Sequence, residues 1–243
     1  MKNFEDKITF EELSWDSEFF GVSSAKATLH KKIEIPLWNN LKTRFKDYQF
    51  ISIINMNSDS SNAQFIGRYT SAFLIDVNIQ FKKDLKSFNE LPPHISIQQM
   101  KEENQQIVDL AEFDHSKFTE DPNLAIRGGA QVYKNWISNS FNKQGKFFAV
   151  SKDTNSKING FTLFSFSNGY CIVELIAVSK ENTKRRVGTS LFNAVESVAF
   201  KNGYKHLKVG TQIRNIAAIN FYHKMGCKQE ECNQVFHLWN NTM

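Results

Sequence analysis

The sequence predicts a mixed α/β fold, and three observations carry that prediction. Strand-like and helix-like stretches alternate through the first third of the chain. A meander of three apolar runs fills the middle, and a glycine-led amphipathic helix, a strand and a short helix follow it. "AKATLH" (25–30) reads as a strand. "PLWNNLKTRFKDY" (36–48) reads as an amphipathic helix, with Leu37, Leu41, Phe45 and Tyr48 on one face. "FISIINM" (50–56) is a buried strand, and "NSDSSN" (57–62) a polar loop holding candidate helix caps. A helix "AQFIGRYTSA" (63–72) and a strand "FLIDVNIQF" (73–81) complete this part.

"LPPH" (91–94) is the best boundary, because two prolines break either regular structure. It divides the chain into expected units of residues 1–91 and 92–243. After it come a strand "ISIQQM" (95–100), a helix from Glu102 to His115, a loop "SKFTEDPNL" (116–124) and a helix through "QVYKNWISNSF" (131–141). The meander is "KFFAVSK" (146–152), "INGFTLFSFS" (158–167) and "YCIVELIAV" (170–178), with the hairpin dipeptide Asn168-Gly169 between the last two. A helix from Gly188 to Lys201, a strand "HLKVGTQ" (206–212), a short helix within "RNIAAINFYHKMGC" (214–227) and a strand around "VFHLW" (235–239) follow. Asn62 to Tyr69 repeats the Asn-to-Tyr spacing of Asn215 to Tyr222, and both halves run strand, helix, strand, helix, strand. A duplicated α/β unit explains this echo; coincidence is the other reading.

Composition excludes several classes. A hydrophobic fraction of 41% and a charged fraction of 23% belong to an ordinary globular chain. Three cysteines, Cys171, Cys227 and Cys232, show neither CxxC spacing nor paired histidines, so neither a disulfide framework nor a zinc site is expected. The charged start and the absence of a long apolar run point to the cytoplasm and away from a membrane. The net charge of +5 is mild, and its densest cluster, Lys184-Arg185-Arg186, is too small for a nucleic-acid stripe. That cluster precedes a helix whose N-terminal N–H groups are unpaired and partly positive. Basic residues are electrostatically misplaced there unless an anion is held, and Gly188 permits close backbone approach. A pyrophosphate fits, yet GxGxxG and GxxxxGK[ST] are both missing.

Strand, basic glycine loop, helix, strand and then "NxxAxxxYxxxG" resembles the GCN5-related N-acetyltransferase (GNAT) superfamily, over about residues 94–243. The resemblance implies a mixed sheet splayed between its fourth and fifth strands, here 172–178 and 206–211, with acetyl-CoA in the gap and no metal. It implies that Ile176, Ala177 and Val178 meet the pantetheine, and that Arg185, Arg186, Val187, Gly188 and Thr189 cradle the pyrophosphate. It places Asn215 and Ala218 along the cofactor arm, and Tyr222 beside the sulfur as general acid. The loop departs from the family pattern [QR]xxGx[GA]: Thr183 replaces the leading residue and Arg186 the first glycine.

"LSWDSEFFGVSSAKATL" (13–29), "SKFTEDP", "YKNWI" and "NIAAINFY" further resemble the bacterial acetyltransferases that act on dTDP-4-amino-4,6-dideoxygalactose. That likeness implies a degenerate GNAT-like N-terminal half on the acceptor side, one cofactor site per chain, a nucleotide-linked amino-sugar substrate and cell-surface glycan synthesis. Trp15, Phe19, Phe20, Lys117, Phe118 and Trp136 are candidate acceptor contacts, although a core position is the commoner reading of each. Glu174 is a candidate base, or else an outward-facing salt-bridge partner. The fold's edge pairing implies a homodimer. The rival readings are another amine acceptor (a protein N-terminus, a polyamine or an antibiotic) and a non-catalytic acyl-CoA-binding protein.

Overall fold

A computed structural model of the chain describes residues 6–87 and 90–240, and the charged start, residues 1–5, lies outside them. The first half contains β1 (Ile8–Glu12), α1 (Ser14–Phe20), β2 (Ser24–Leu29), α2 (Ile35–Phe45), β3 (Phe50–Asn55), α3 (Ser60–Tyr69) and β4 (Phe73–Asp84). Next come β5 (Ile95–Gln98), α4 (Gln105–Asp109), α5 (Lys117–Glu120), α6 (Pro122–Ala125) and α7 (Val132–Ser138). The remainder is β6 (Lys146–Lys152), β7 (Ile158–Ser167), β8 (Tyr170–Val178), α8 (Val187–Lys201), β9 (His206–Gln212), α9 (Ile216–Lys224) and β10 (Lys228–Trp239).

Among the described residues the strands form one ten-stranded sheet, ordered β1-β2-β3-β10-β4-β9-β8-β7-β6-β5. The order contains a reciprocal exchange. In the first half β2 and β3 are parallel neighbours joined through α2; in the second, β8 and β9 are parallel neighbours joined through α8. β10 then lies between β3 and β4, while β4 lies between β10 and β9. Each half places its last strand beside the other half's parallel pair, so the duplicated unit is visible as topology. The cores show the same exchange. Phe236 and Leu238 of β10 pack with Trp38, Leu41 and Phe45 under α2 and α3. Ile79 and Phe81 of β4 pack with Leu191, Phe192 and Val195 of α8 and Tyr222 of α9.

The echo in sequence is misregistered by three residues. Asp59 and Asn215 are the matching caps, accepting from Asn62 N–H and Ala218 N–H respectively. Asn62 therefore corresponds to Ala218, and buried Ile66 to Tyr222, while Tyr69 is exposed at the end of α3.

Several expected elements change shape. The helix expected over 102–115 shrinks to α4, capped by Asn104; its continuation becomes irregular as residues 112–115 turn toward the central cavity. The expected loop 116–124 winds into α5 and α6, because Ser116 and Asp121 each accept backbone N–H groups as caps. β1 and α1 were not anticipated; α1 ends at Gly21, whose φ of 67° is the left-handed stop that glycine adopts freely. β10 begins seven residues before the expected run at Val235. The hairpin holds: Asn168 and Gly169 both take positive φ, 49° and 79°, as a type I′ turn requires.

α8 lies across β6, β7 and β8 with Val187, Leu191 and Val195 buried. Gly160 of β7 makes that approach possible: a Cβ there would meet Val187 Cγ1 at 2.9 Å, Ala177 O at 3.1 Å and Leu191 Cδ1 at 3.1 Å. Gly160→Ala is expected to destabilise the protein by about 1–3 kcal/mol through overpacking, read as a lower urea midpoint at unchanged slope.

Candidate active site

The site begins where two strands part. β8 and β9 pair over Tyr170↔His206, Cys171↔Leu207, Ile172↔Lys208 and Val173↔Val209, and then separate. β8 continues along β7 as far as Val178↔Gly160, and β9 along β4 as far as Gln212↔Asn78. The separation coincides with a bulge: Leu163 pairs Leu175 and Phe164 pairs Val173, leaving Glu174 as the extra residue on β8. A bulge bends and twists its strand, so β8 turns away with its partner β7. The facing edges of 174–178 and 210–212 carry backbone N–H and C=O groups no longer engaged across the ladder.

Into this gap opens a cavity of about 790 Å³. Ile172 to Ile176 form one wall, Val209 to Gln212 the other, and Asn215, Ala218 and Tyr222 of α9 the end. The face-sharing expected of α9 is realised, since all three of its residues line one space. Asn215 caps its own helix through the Ala218 N–H at 3.0 Å and also faces the cavity, so a structural role and a ligand-facing position coincide. Tyr222 is buried among Phe81, Phe192 and Phe221, and burial pushes its phenol well above the ordinary value. A phenol so placed holds its proton at neutral pH, and because the shift makes it a weaker acid, its candidacy as proton donor rests on its place in the cavity wall.

The loop before α8 takes up two left-handed residues, Lys184 at φ 65° and Arg186 at φ 63°. Where the family pattern has glycine, Arg186 thus takes a left-handed backbone that glycine adopts freely, at about 1–2 kcal/mol of local strain. Arg186 is the N-cap without a side-chain cap, leaving the N–H groups of Val187, Gly188 and Thr189 without carbonyls one turn back. A Cβ at Gly188 would make only ordinary contacts, 3.6 Å to Val178 and 3.7 Å to Phe221. Packing does not demand glycine there, and the missing side chain leaves the backbone open to close approach. Exposed Lys184, Arg185 and Arg186 ring the same helix start. These features fit a pyrophosphate at α8 and a pantetheine arm between β8 and β9.

The first half lacks such a gap. β2 and β3 stay paired from Ser24↔Phe50 to Leu29↔Asn55. Asn62, where α9 has Ala218, bonds Ile33 N–H at 3.0 Å, Lys31 C=O at 3.1 Å and Asn55 Oδ1 at 3.2 Å. One buried amide ties down the loop that its counterpart in the second half leaves open.

Glu174 makes the salt bridge of its second reading, with Lys146, but its side chain is buried and does not face outward. It lines the cavity, and its carboxylate accepts from Lys146 Nζ, Ser165 Oγ and, at 3.3 Å, Trp136 Nε1. Three donors leave little of its lone-pair capacity for a substrate proton.

The acceptor candidates separate into two groups. Lys117, Phe118 and Trp136 line the cavity. Trp15, Phe118 and Trp136 wall a second pocket of about 290 Å³, with Asn139, Ser140 and Lys143 beside them. Phe20 is core instead, packed with Val22, Phe50, Leu124 and Val132, and Phe19 lies against that cluster under Trp15 at 4.8 Å. Sequence reasoning missed Asp76, Asn78 and Gln80, which line the cavity from β4. The signal was present as polar alternation within "FLIDVNIQF". Gly210 makes room for that face, because a Cβ on it would meet Gln80 Nε2. Also missed was Asp121, whose carboxylate accepts from His237 Nδ1 at 2.6 Å and Trp239 Nε1 at 3.0 Å, fixing β10 to the α5–α6 segment.

This geometry coincides with what the comparisons show. Residues 104–227, just over half of the 243-residue chain, match the model of the acetyltransferase (GNAT) family. The chain belongs to that family and is an acetyl-CoA-dependent N-acetyltransferase. It is 22% identical over 245 residues to the spore coat polysaccharide biosynthesis protein SpsD of Bacillus subtilis (strain 168), spanning 96% of this chain and 83% of SpsD. An 82-residue stretch is 39% identical to streptothricin acetyltransferase A of the same organism, covering 34% of this chain and 47% of that protein. The fold is shared with a GCN5-related N-acetyltransferase from Sphaerobacter thermophilus, at TM-score 0.63 and 11% identity over 96% of this chain and 76% of that one.

Two outcomes follow from the site. Tyr222→Phe removes the phenol while keeping the ring packing, and is expected to lower kcat about 10²-fold or more, with acetyl-CoA affinity by calorimetry unchanged within about twofold. Arg186→Gly relieves the left-handed strain but removes a charge from the helix start. It is expected to raise Tm by about 2–4 °C and to weaken acetyl-CoA binding by about tenfold.

Proposed function

We propose that this acetyltransferase acts on the amine of an amino-deoxysugar carried by a nucleotide, dTDP by the likeness of residues 13–29, in the synthesis of a cell-surface glycan. The observation that carries this reading is the pairing of two differently built spaces that share Phe118 and Trp136. The larger holds the splayed strands, Tyr222 and carboxylates, which suit an ammonium. The smaller has the indoles of Trp15 and Trp136, each 40% exposed, beside Lys143, which suit a stacked base and a phosphate. An acceptor long enough to occupy both carries its amine at one end and its nucleotide at the other. The likeness to SpsD over nearly the whole chain supports a glycan precursor. An antibiotic amine is the second reading, favoured by the streptothricin acetyltransferase stretch.

Incubation with acetyl-CoA and a panel of dTDP- and UDP-linked amino sugars, streptothricin and spermidine, followed by free-thiol release, tests the proposal. Turnover is expected on a nucleotide-linked amino sugar, with Trp15→Ala raising its KM about 10-fold or more and leaving the KM for acetyl-CoA unchanged. Release with streptothricin alone would transfer the reading to antibiotic acetylation.

A further inference from the structure

The acceptor's amine arrives at neutral pH as an ammonium and must lose a proton before its lone pair can attack. Glu174 is poorly available for this, because Lys146, Ser165 and Trp136 already occupy its carboxylate. Asp76 is placed differently. It comes from β4, the strand that the first half inserts beside β9, and lies with Asn78 and Gln80 on the polar face lining the cavity. Ile75 is the extra residue at an irregularity against β10, where Asp76 pairs Val235 and Leu74 pairs Phe236. The bulge re-aims this end of β4, a common use of bulges near active sites.

We propose that Asp76, from its place on the polar face of the cavity with Lys117 on the same wall, binds the acceptor's ammonium and takes its first proton. Lys117 lines the same cavity and stands in the electrostatic reach of both Asp76 and Asp16; burial disfavours its charge more than the two carboxylates favour it, so the cluster stays acidic. A half-buried cluster of that sign is complementary to a single cation. Facing Asp76 are Lys117 and Glu120 of α5, Arg214 after β9 and Tyr133 of α7; Arg214 is itself paired to Glu120 at 2.8 Å. β10 alongside contributes His237, held by Asp121. Burial pushes the Asp76 carboxyl above the ordinary range against the pull of the Val77 N–H and Lys117, which makes it a better proton acceptor than a solvated aspartate.

The step balances. The Asp76 carboxylate takes one proton from the ammonium, and the freed lone pair forms a C–N bond to the thioester carbonyl carbon. The C–S bond breaks with its electrons on sulfur, which receives the Tyr222 proton. The surplus proton on the new amide nitrogen leaves to water; water then reprotonates Tyr222 and receives the proton of Asp76.

The proposal rests on the acetyltransferase activity and not on the sugar, so its first test needs no acceptor. In protein carrying ¹³C-carboxyl aspartate, the resonance lost in Asp76→Asn is followed through pH, with and without methylammonium or tetramethylammonium. Methylammonium is expected to lower the titration midpoint, because a hydrogen-bonding cation favours the ionised form. Tetramethylammonium, which has no N–H, is expected to lower it less. With an acceptor that turns over, Asp76→Asn is expected to reduce kcat/KM about 10²-fold or more with acetyl-CoA affinity retained. The acid limb of the profile moves up to the amine's own pKa, since the variant accepts only free amine. Glu174→Gln leaves that limb in place. An Asp76 resonance indifferent to methylammonium, or an acid limb that moves in Glu174→Gln and not in Asp76→Asn, overturns the proposal.

Discussion

The parallel ladder between β8 and β9 ends after four residue pairs, and the functional architecture depends on that ending. Its cause is a competition between neighbours. β8 stays with β7 and β9 with β4, while the extra residue Glu174 bends β8 at the point of parting. Backbone polar groups inside a protein are normally engaged, so an interior gap between strands is tolerated only where something polar or a ligand meets its edges. Here the gap meets a cavity that the start of α9 lines with Asn215 and Ala218, while α8 begins at the far end of β8, with Gly188 near Val178 and Phe221. The roles proposed here, holding the anion, holding the arm and donating the proton, therefore fall to three pieces of chain: the loop to α8, the open edges, and α9.

The first half demonstrates the same frame with the gap closed. Its parallel pair remains joined for six residues, and Asn62 bonds the loop that precedes α2. The closed pair and the open one differ in a few side chains at matched positions: Asn62 against Ala218, and Ile66 against Tyr222. Without such a gap, the first half contributes in another way. Its strand β4 forms one side of the cavity with Asp76, Asn78 and Gln80, and its helix α1 supplies Trp15 to the smaller pocket. The exchanged strands make the halves parts of one sheet and bring residues from both to one reaction space.

Much of this was legible in the sequence where local physics dominates. The meander strands β6, β7 and β8 end where "KFFAVSK", "INGFTLFSFS" and "YCIVELIAV" end, because β-branched and aromatic runs flanked by Asn-Gly leave little alternative. The shared face of Asn215, Ala218 and Tyr222 follows from helical spacing alone. What could not be read depends on partners distant in sequence. The insertion of β10 between β3 and β4 is a tertiary choice, so the polar side of "FLIDVNIQF" showed its alternation but not its destination. Phe20 was open to a wall as well as to the commoner core position, and the packing of α1 against Leu124 and Val132 makes it core. The echo was sound in order and wrong in register, because spacing between an asparagine and a tyrosine carries no information about which residue caps the helix.

The most direct measurement of the account is amide hydrogen exchange with and without acetyl-CoA. Slowed exchange is expected along 174–178 and at Gly188 and Thr189, with the amides of β2, β3 and the 30–34 loop unchanged. Protection appearing at β2 and the 30–34 loop, with the β8 edge indifferent to acetyl-CoA, would contradict the claim that the open ladder is where the acetyl donor is held.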